Sequence, residues 1–128
     1  MITPYLRRVV LALALASAGM AAIAGAAVAR TIFDGTWSVL IVTNSGDCDR
    51  AYRYGIQISN GNVVYDGGGP INLQGRVAPN GAVRVIVSAG GQHADGSGRL
   101  SRDRGGGVWR GQGSTGSCAG TWEAERRG

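Results

Sequence analysis

Residues 52–65 read YRYGIQISNGNVVY, and this stretch decides the fold. From residue 52 to residue 58 every second side chain is aromatic or aliphatic, which is the period of two that a half-buried strand requires. Asn60-Gly61 follows at once and favours a two-residue hairpin, because both residues tolerate a positive φ. Residues 63–65 then form the returning strand. The stretch therefore predicts a β-hairpin.

The same alternation recurs on both sides of this hairpin. Glycine, proline and asparagine turn signals separate the runs, and no window has the apolar spacing of a helix after residue 29. We predict strands at residues 35–43, 52–59, 63–65, 71–77, 83–88, 92–100, 108–110 and 117–125, with residues 102–106 as a turn. Eight short strands with hairpin-length connections predict an all-β, antiparallel up-and-down meander. We expect the meander to close as a small barrel, with a two-sheet β-sandwich as the alternative.

The two cysteines of the chain, Cys48 and Cys118, predict one structural disulfide. They lie too far apart in sequence for a catalytic dithiol, and an exported chain favours pairing. The bond places the start of the second strand beside the last strand, as barrel closure requires.

The first 29 residues have the form of a signal peptide. Arg7 and Arg8 precede a long uncharged run rich in Leu and Ala, and Ala27-Val28-Ala29 supplies a small-residue cleavage site. We therefore predict a signal peptide over residues 1–29 and a single β domain over residues 30–128. A retained membrane anchor is the alternative, because the run approaches the length that spans a bilayer. After cleavage we expect no membrane span and an exported protein, periplasmic or secreted.

The charge of the domain is mildly positive. All 13 basic residues are Arg, two of them before residue 29, and the remaining eleven oppose eight acidic residues. The arginines are scattered singly along the predicted strands, which is typical of a solvated face. We therefore expect no nucleic-acid partner.

Two groups of residues are candidates for binding. Trp37, Trp109 and Trp122 would line a ligand cavity if the barrel is open, although side chains fill the interior of many small barrels. The tripeptide Gly-Thr-Trp occurs at residues 35–37 and again at 120–122, so two of these indoles would lie inside. A second group combines Arg and Tyr, which suit carboxylate or sugar ligands. Its members are Arg50, Tyr52, Arg53 and Tyr54.

No catalytic, metal or cofactor site is predicted. The only histidine, His93, has no Cys-x-x-Cys-His motif to attach a heme, and we interpret it as a plain strand residue. Asp47 and Asp49 are better explained as turn residues than as calcium ligands. Because no set of nucleophile, base and oxyanion donors can be assembled, we expect the protein not to be an enzyme.

The chain resembles two groups of proteins. Gly35-Thr36-Trp37 at the head of the first strand is similar to calycin-type barrels, namely lipocalins and avidins, and to small periplasmic inhibitors of metalloproteases. The domain also resembles small uncharacterised exported proteins of alphaproteobacteria, some labelled as exoproteins for heme utilisation or adhesion. That likeness lies in residues 33–37, 46–54, 76–81, 96–100 and 116–118.

Three functions follow from these observations. The first is an exported binding or interaction module, whose partner is a small ligand or an envelope or host protein. The second is a protease inhibitor that inserts residues 30–34 into an active site. The third, implied by the resemblance alone, is a role in heme utilisation or adhesion.

Overall fold

A computed structural model describes residues 30–128, and the expected signal peptide lies outside the described residues. Eight strands follow one another along this part of the chain, and no helix in it is long and apolar enough to cross a bilayer. They are β1 (Gly35–Ser45), β2 (Ala51–Ser59), β3 (Asn62–Tyr65), β4 (Asn72–Val77), β5 (Ala82–Ala89), β6 (Gln92–Leu100), β7 (Arg104–Gln112) and β8 (Ser117–Arg126).

The strands form one closed barrel. Each strand pairs antiparallel with the next, and β8 pairs with β1 from Trp37↔Arg126 to Ser45↔Ala119. This confirms the predicted meander and closed barrel, and the two-sheet alternative is wrong. Closure removes the unpaired edges that an open sheet of this size would expose.

The hairpin at the centre of the sequence forms as predicted. Asn60 and Gly61 both have positive φ, at 53° and 79°, as a two-residue hairpin turn requires. Ile58 then pairs with Val63, and Ile56 with Tyr65. Apolar residues of both strands therefore share the inward face.

The predicted boundaries of β7 are wrong. We predicted a turn at residues 102–106 and a strand of only three residues, but β7 runs from Arg104 to Gln112. The reversal is confined to residues 101–103, where the Ser101 amide donates to the Arg104 carbonyl at 2.7 Å. The strand is hard to predict from the sequence because its glycines contribute no apolar side chain to the alternation.

The buried core lies at one end of the barrel, here called the closed end. It holds the start of β1, the end of β2 and the end of β8, together with Phe33 from the segment before β1. Its buried members are Phe33, Trp37, Val39, Ile56, Ile58, Val63, Val77, Val83, Leu100, Trp122 and Ala124. The Trp37 indole, 1% exposed, donates from Nε1 to the Phe33 carbonyl at 2.9 Å.

Arg126 seals the closed end. Its guanidinium donates to the carbonyl oxygens of Asp34 and Arg102, each at 2.7 Å, and to the carbonyl of Ile32. The group also lies over the Trp37 ring, 4.8 Å from the ring centroid. A single side chain from the last strand thereby holds the segment before β1 against the barrel.

The predicted disulfide is confirmed at the opposite end. Cys48 and Cys118 are bonded, with their Cα atoms 6.1 Å apart. The bond joins the β1–β2 loop to the first residues of β8. It therefore braces the end of the barrel that the core leaves unfilled.

Asp34 links the segment before β1 to the central hairpin. Its carboxylate accepts from the amides of Asn60 at 2.8 Å and Gly61 at 3.2 Å, and from Thr31 Oγ1 at 2.5 Å. Burial raises the pKa of Asp34, and these hydrogen bonds together lower it by a larger amount. The pKa therefore lies below its ordinary value of 3.8.

The acid stability of the protein should depend on this carboxylate. The pKa of Asp34 is lower in the folded chain than in the unfolded chain. The carboxylate therefore contributes fully to the unfolding free energy above its pKa in the unfolded chain, and this contribution disappears as the pH falls through its pKa in the folded chain. We expect Asp34→Asn to flatten the fall in unfolding free energy as the pH drops below about 4. Urea unfolding across this pH range measures the slopes. Asp95→Asn, which removes an exposed carboxylate, is the control, and parallel slopes for all three proteins would contradict the assignment.

Candidate ligand-binding cavity

The barrel interior contains a cavity of about 230 Å³ beyond the packed core. Aliphatic and aromatic side chains from all eight strands line it. Asp95, which is exposed, is the only charged residue in the lining. Apolar space of this kind offers few of the polar partners that ordered water needs. The interior is therefore filled by side chains at the closed end and open beyond it.

The three tryptophans all line the cavity, and each has its indole donor satisfied by the backbone. Trp109 Nε1 donates to the Val42 carbonyl at 3.0 Å, and Trp122 Nε1 to the Ser97 carbonyl at 3.1 Å. Trp37 donates to Phe33, as described above. Because no indole N–H needs a further partner, the rings present only carbon surface to the cavity.

Glycines on the inward face of β6, β7 and β8 make room for two of these rings. A Cβ added to Gly98 would lie 2.6 Å from Trp122 Cζ2, and one added to Gly107 would lie 2.7 Å from Trp122 Nε1. At Gly120 an added Cβ would lie 2.9 Å from Trp109 Nε1. The indoles therefore lie directly on the backbone of the wall, which keeps the centre of the barrel empty.

Three tyrosines stand at the open end of the cavity. The ring centroids of Tyr52 and Tyr54 are 5.8 Å apart, and those of Tyr54 and Tyr65 are 6.0 Å apart. Burial, and to a smaller extent its two tyrosine neighbours, raises the pKa of Tyr54 to about 12. Its phenol therefore stays neutral at physiological pH and can donate a hydrogen bond to a ligand at the mouth.

The seam between β3 and β4 is the shortest in the barrel. Only two residue pairs join these strands, Asn62↔Arg76 and Val63↔Gly75. Tyr65, Ile71 and Leu73 follow where the pairing stops, and all three line the cavity. The mouth therefore extends down one side of the barrel along this seam.

The structure divides the predicted binding residues into two groups. Tyr52 and Tyr54 join the three tryptophans around the cavity. Arg50 and Arg53 are exposed outside it, and Arg53 Nη1 donates to Ser38 Oγ at 2.9 Å on the outer face. The two arginines therefore do not contribute to the lining of the cavity.

Sequence reasoning missed Tyr65 and the aliphatic wall of the site. The alternation of β3 puts Tyr65 on the same face as Val63, and this signal was available in the sequence. The wall is completed by Val85 and Val87 of β5 and by Leu73 of β4.

A second, smaller cavity of about 160 Å³ adjoins the first at the mouth. The two share Val87, Ala94 and Trp109, and the second is also lined by Cys48, Gln92 and Gln112. It lies beside the disulfide. A ligand that fills the main cavity could thus extend a polar group toward these amides.

His93 is exposed on β6, between Ser88 of β5 and Gln112 of β7 in the strand register. Across residues 30–128 no cluster of three His, Cys, Asp or Glu side chains is arranged to hold a metal ion. His93 also lines the second cavity, together with Gln92 and Gln112.

No protein-family model, curated protein or solved structure matches the chain. The resemblances to calycin-type barrels and to small exported proteins therefore stay predictions.

Proposed function

We propose that this protein is an exported binding module that holds a small, uncharged and largely apolar ligand inside its barrel. The observation that carries the proposal is the apolar cavity lined by Trp37, Trp109 and Trp122. Ligand sites in proteins are typically concave and apolar, with few polar groups. Export is supported by the disulfide, since such bonds persist in oxidising compartments.

The chemistry of the lining supports an uncharged ligand. Neither Arg50 nor Arg53 reaches the cavity, so a buried carboxylate would find no cation there. Leaving an ion unpaired in an apolar site costs several kcal/mol. The tyrosine hydroxyls at the mouth supply hydrogen bonds that suit a hydroxyl or carbonyl group on the ligand.

The size of the cavity limits the ligand to a small molecule. A cavity of about 150 Å³ holds benzene, so about 230 Å³ suits a body of two fused rings or a chain of comparable volume. A porphyrin is far larger than this space. The cavity therefore supports a small apolar ligand rather than heme.

The inhibitor hypothesis depends on a free N-terminal segment, and residues 31–34 are held in place. Phe33 is 3% exposed, Asp34 accepts hydrogen bonds from the central hairpin, and Arg126 binds the carbonyls of Ile32 and Asp34. Of the two hypotheses, ligand binding is therefore the better supported.

Calorimetric titration with 1-naphthol tests the proposal. Residues 30–128 contain all eight strands, the core and the disulfide, and are the protein to use. Burying two fused rings should give a Kd on the order of 0.1 to 1 mM, with a negative heat-capacity change. Naphthalene-1-sulfonate, which has the same rings and a fixed charge, is the matched ligand and should bind at least about tenfold more weakly. No binding of 1-naphthol at its solubility limit would overturn the proposal.

A further inference from the structure

The outer face of β4, β5 and β6 gathers three arginines that the sequence separates. Arg76 of β4 is directly opposite Arg84 of β5 in the strand register. Arg99 of β6 is opposite Ala82, which precedes Arg84 by two residues, so Arg99 is a diagonal neighbour of Arg84 on the same face. All three are exposed. Directly opposed residues have Cβ atoms about 5 Å apart, and diagonal neighbours are about 7 to 8 Å apart. We call Arg76, Arg84 and Arg99 the basic face.

The three positive charges of the basic face outnumber the one carboxylate that the strand register places diagonal to Arg84, that of Asp95. The ion pairs in this part of the chain involve Arg104, Arg126 and Arg127, and none includes an arginine of the basic face. Arg76 contacts only a neutral acceptor, Asn62 Oδ1, at 3.2 Å. Like charges placed directly opposite each other destabilise a sheet. An anionic partner would remove this repulsion.

Exposed apolar side chains border the same surface. Ile86 follows Arg84 on the outward face of β5 and is 60% exposed. Val108 of β7 is 59% exposed. It is opposite Ser97 of β6, and Ser97 is in turn opposite Arg84 of β5. A dissolved polyanion gains little from aliphatic side chains, because its binding is dominated by charge. A lipid surface presents both anionic headgroups and an apolar boundary just beneath them.

We propose that the basic face docks the barrel on an anionic lipid surface. The three guanidinium groups would pair with lipid phosphates, for which their forked donors are suited, and Ile86 and Val108 would enter the headgroup boundary. This proposal is independent of the cavity ligand.

Vesicle sedimentation tests the proposal with residues 30–128 at about 0.1 M salt, where a Debye length of about 10 Å limits the attraction to the docked face. The vesicles are phosphatidylcholine alone, or phosphatidylcholine with an equal part of phosphatidylglycerol. A basic side chain near an anionic surface strengthens partitioning about fivefold, so Arg84→Gln combined with Arg99→Gln should weaken it about thirtyfold. Arg50→Gln combined with Arg53→Gln removes the same charge from another part of the surface and should change partitioning less than about threefold. Ile86→Ser should weaken vesicle binding and leave retention on heparin unchanged.

Three results would overturn the proposal. Equal weakening by the two double variants would mean that net charge alone drives binding. Equal partitioning to the two kinds of vesicle would mean that anionic lipid is not recognised. Retention on heparin without binding to anionic vesicles would assign the basic face to an anionic polymer instead.

Discussion

Replacing Cys48 and Cys118 with Ser should lower the unfolding free energy of the protein by about 4 kcal/mol. The disulfide spans 70 residues, and closing so long a loop removes much of the conformational freedom of the unfolded chain. A domain of about 100 residues has a total stability of only about 5 to 15 kcal/mol, so this is a large share. The bond also braces the mouth, where the core contributes little packing.

Urea unfolding of the wild type and the double Ser variant measures this difference. The reducing agent that opens the bond in the wild type should lower its stability to that of the variant and leave the variant unchanged. A difference below about 1 kcal/mol would mean that packing alone holds the barrel closed.

Filling the cavity should abolish most of the binding of 1-naphthol. Val85 lies in the middle of β5, half-buried and facing the cavity. In Val85→Trp the larger ring would occupy the space of the ligand, and we expect affinity to fall at least tenfold, or by about 1.4 kcal/mol. Calorimetric titration of the variant measures the loss.

The neighbouring residue provides a matched control for this variant. Ile86→Trp introduces the same side chain one residue further along β5, on the exposed outer face. Its affinity for 1-naphthol should stay within about twofold of the wild type. Circular dichroism and thermal unfolding establish that both variants are folded. If both bind as the wild type does, the ligand is not in the interior.

Much of this fold could be predicted because its signals are local. The alternation from Tyr52 to Ile58 determines which face of β2 turns inward, and Asn60-Gly61 determines the turn that follows. Cys48 and Cys118 supply the one long-range constraint. Together these features predict a closed antiparallel barrel, which the structure has.

The cavity and β7 were harder to predict for a shared reason. The inward residues of β7 include Gly105 and Gly107, which contribute no apolar side chain to a pattern. Gly107 leaves room for Trp122 of β8 and Gly105 for Leu100 of β6, and no single stretch of sequence reveals these contacts between strands. Whether the interior is filled or open depends on such contacts around the whole barrel.

The arginines illustrate the same limit on the outer surface. Arg50 and Arg53 are close in sequence to Tyr52 and Tyr54, and this proximity suggested one binding cluster. Alternation along β2 instead sends Arg53 outside. Conversely, Arg76 and Arg84 lie on different strands and are not close in sequence, and only the strand register places them opposite each other.

Methyl NMR of the protein titrated with 1-naphthol tests the central claim most directly. If the ligand occupies the barrel interior, ring-current shifts should appear at the methyl groups of Leu73, Val85 and Val87, which line the cavity. The outward methyl groups of Val64, Ile86 and Val108 should not shift. Shifts confined to the outward methyl groups would contradict the claim and place any apolar binding on the surface of the barrel.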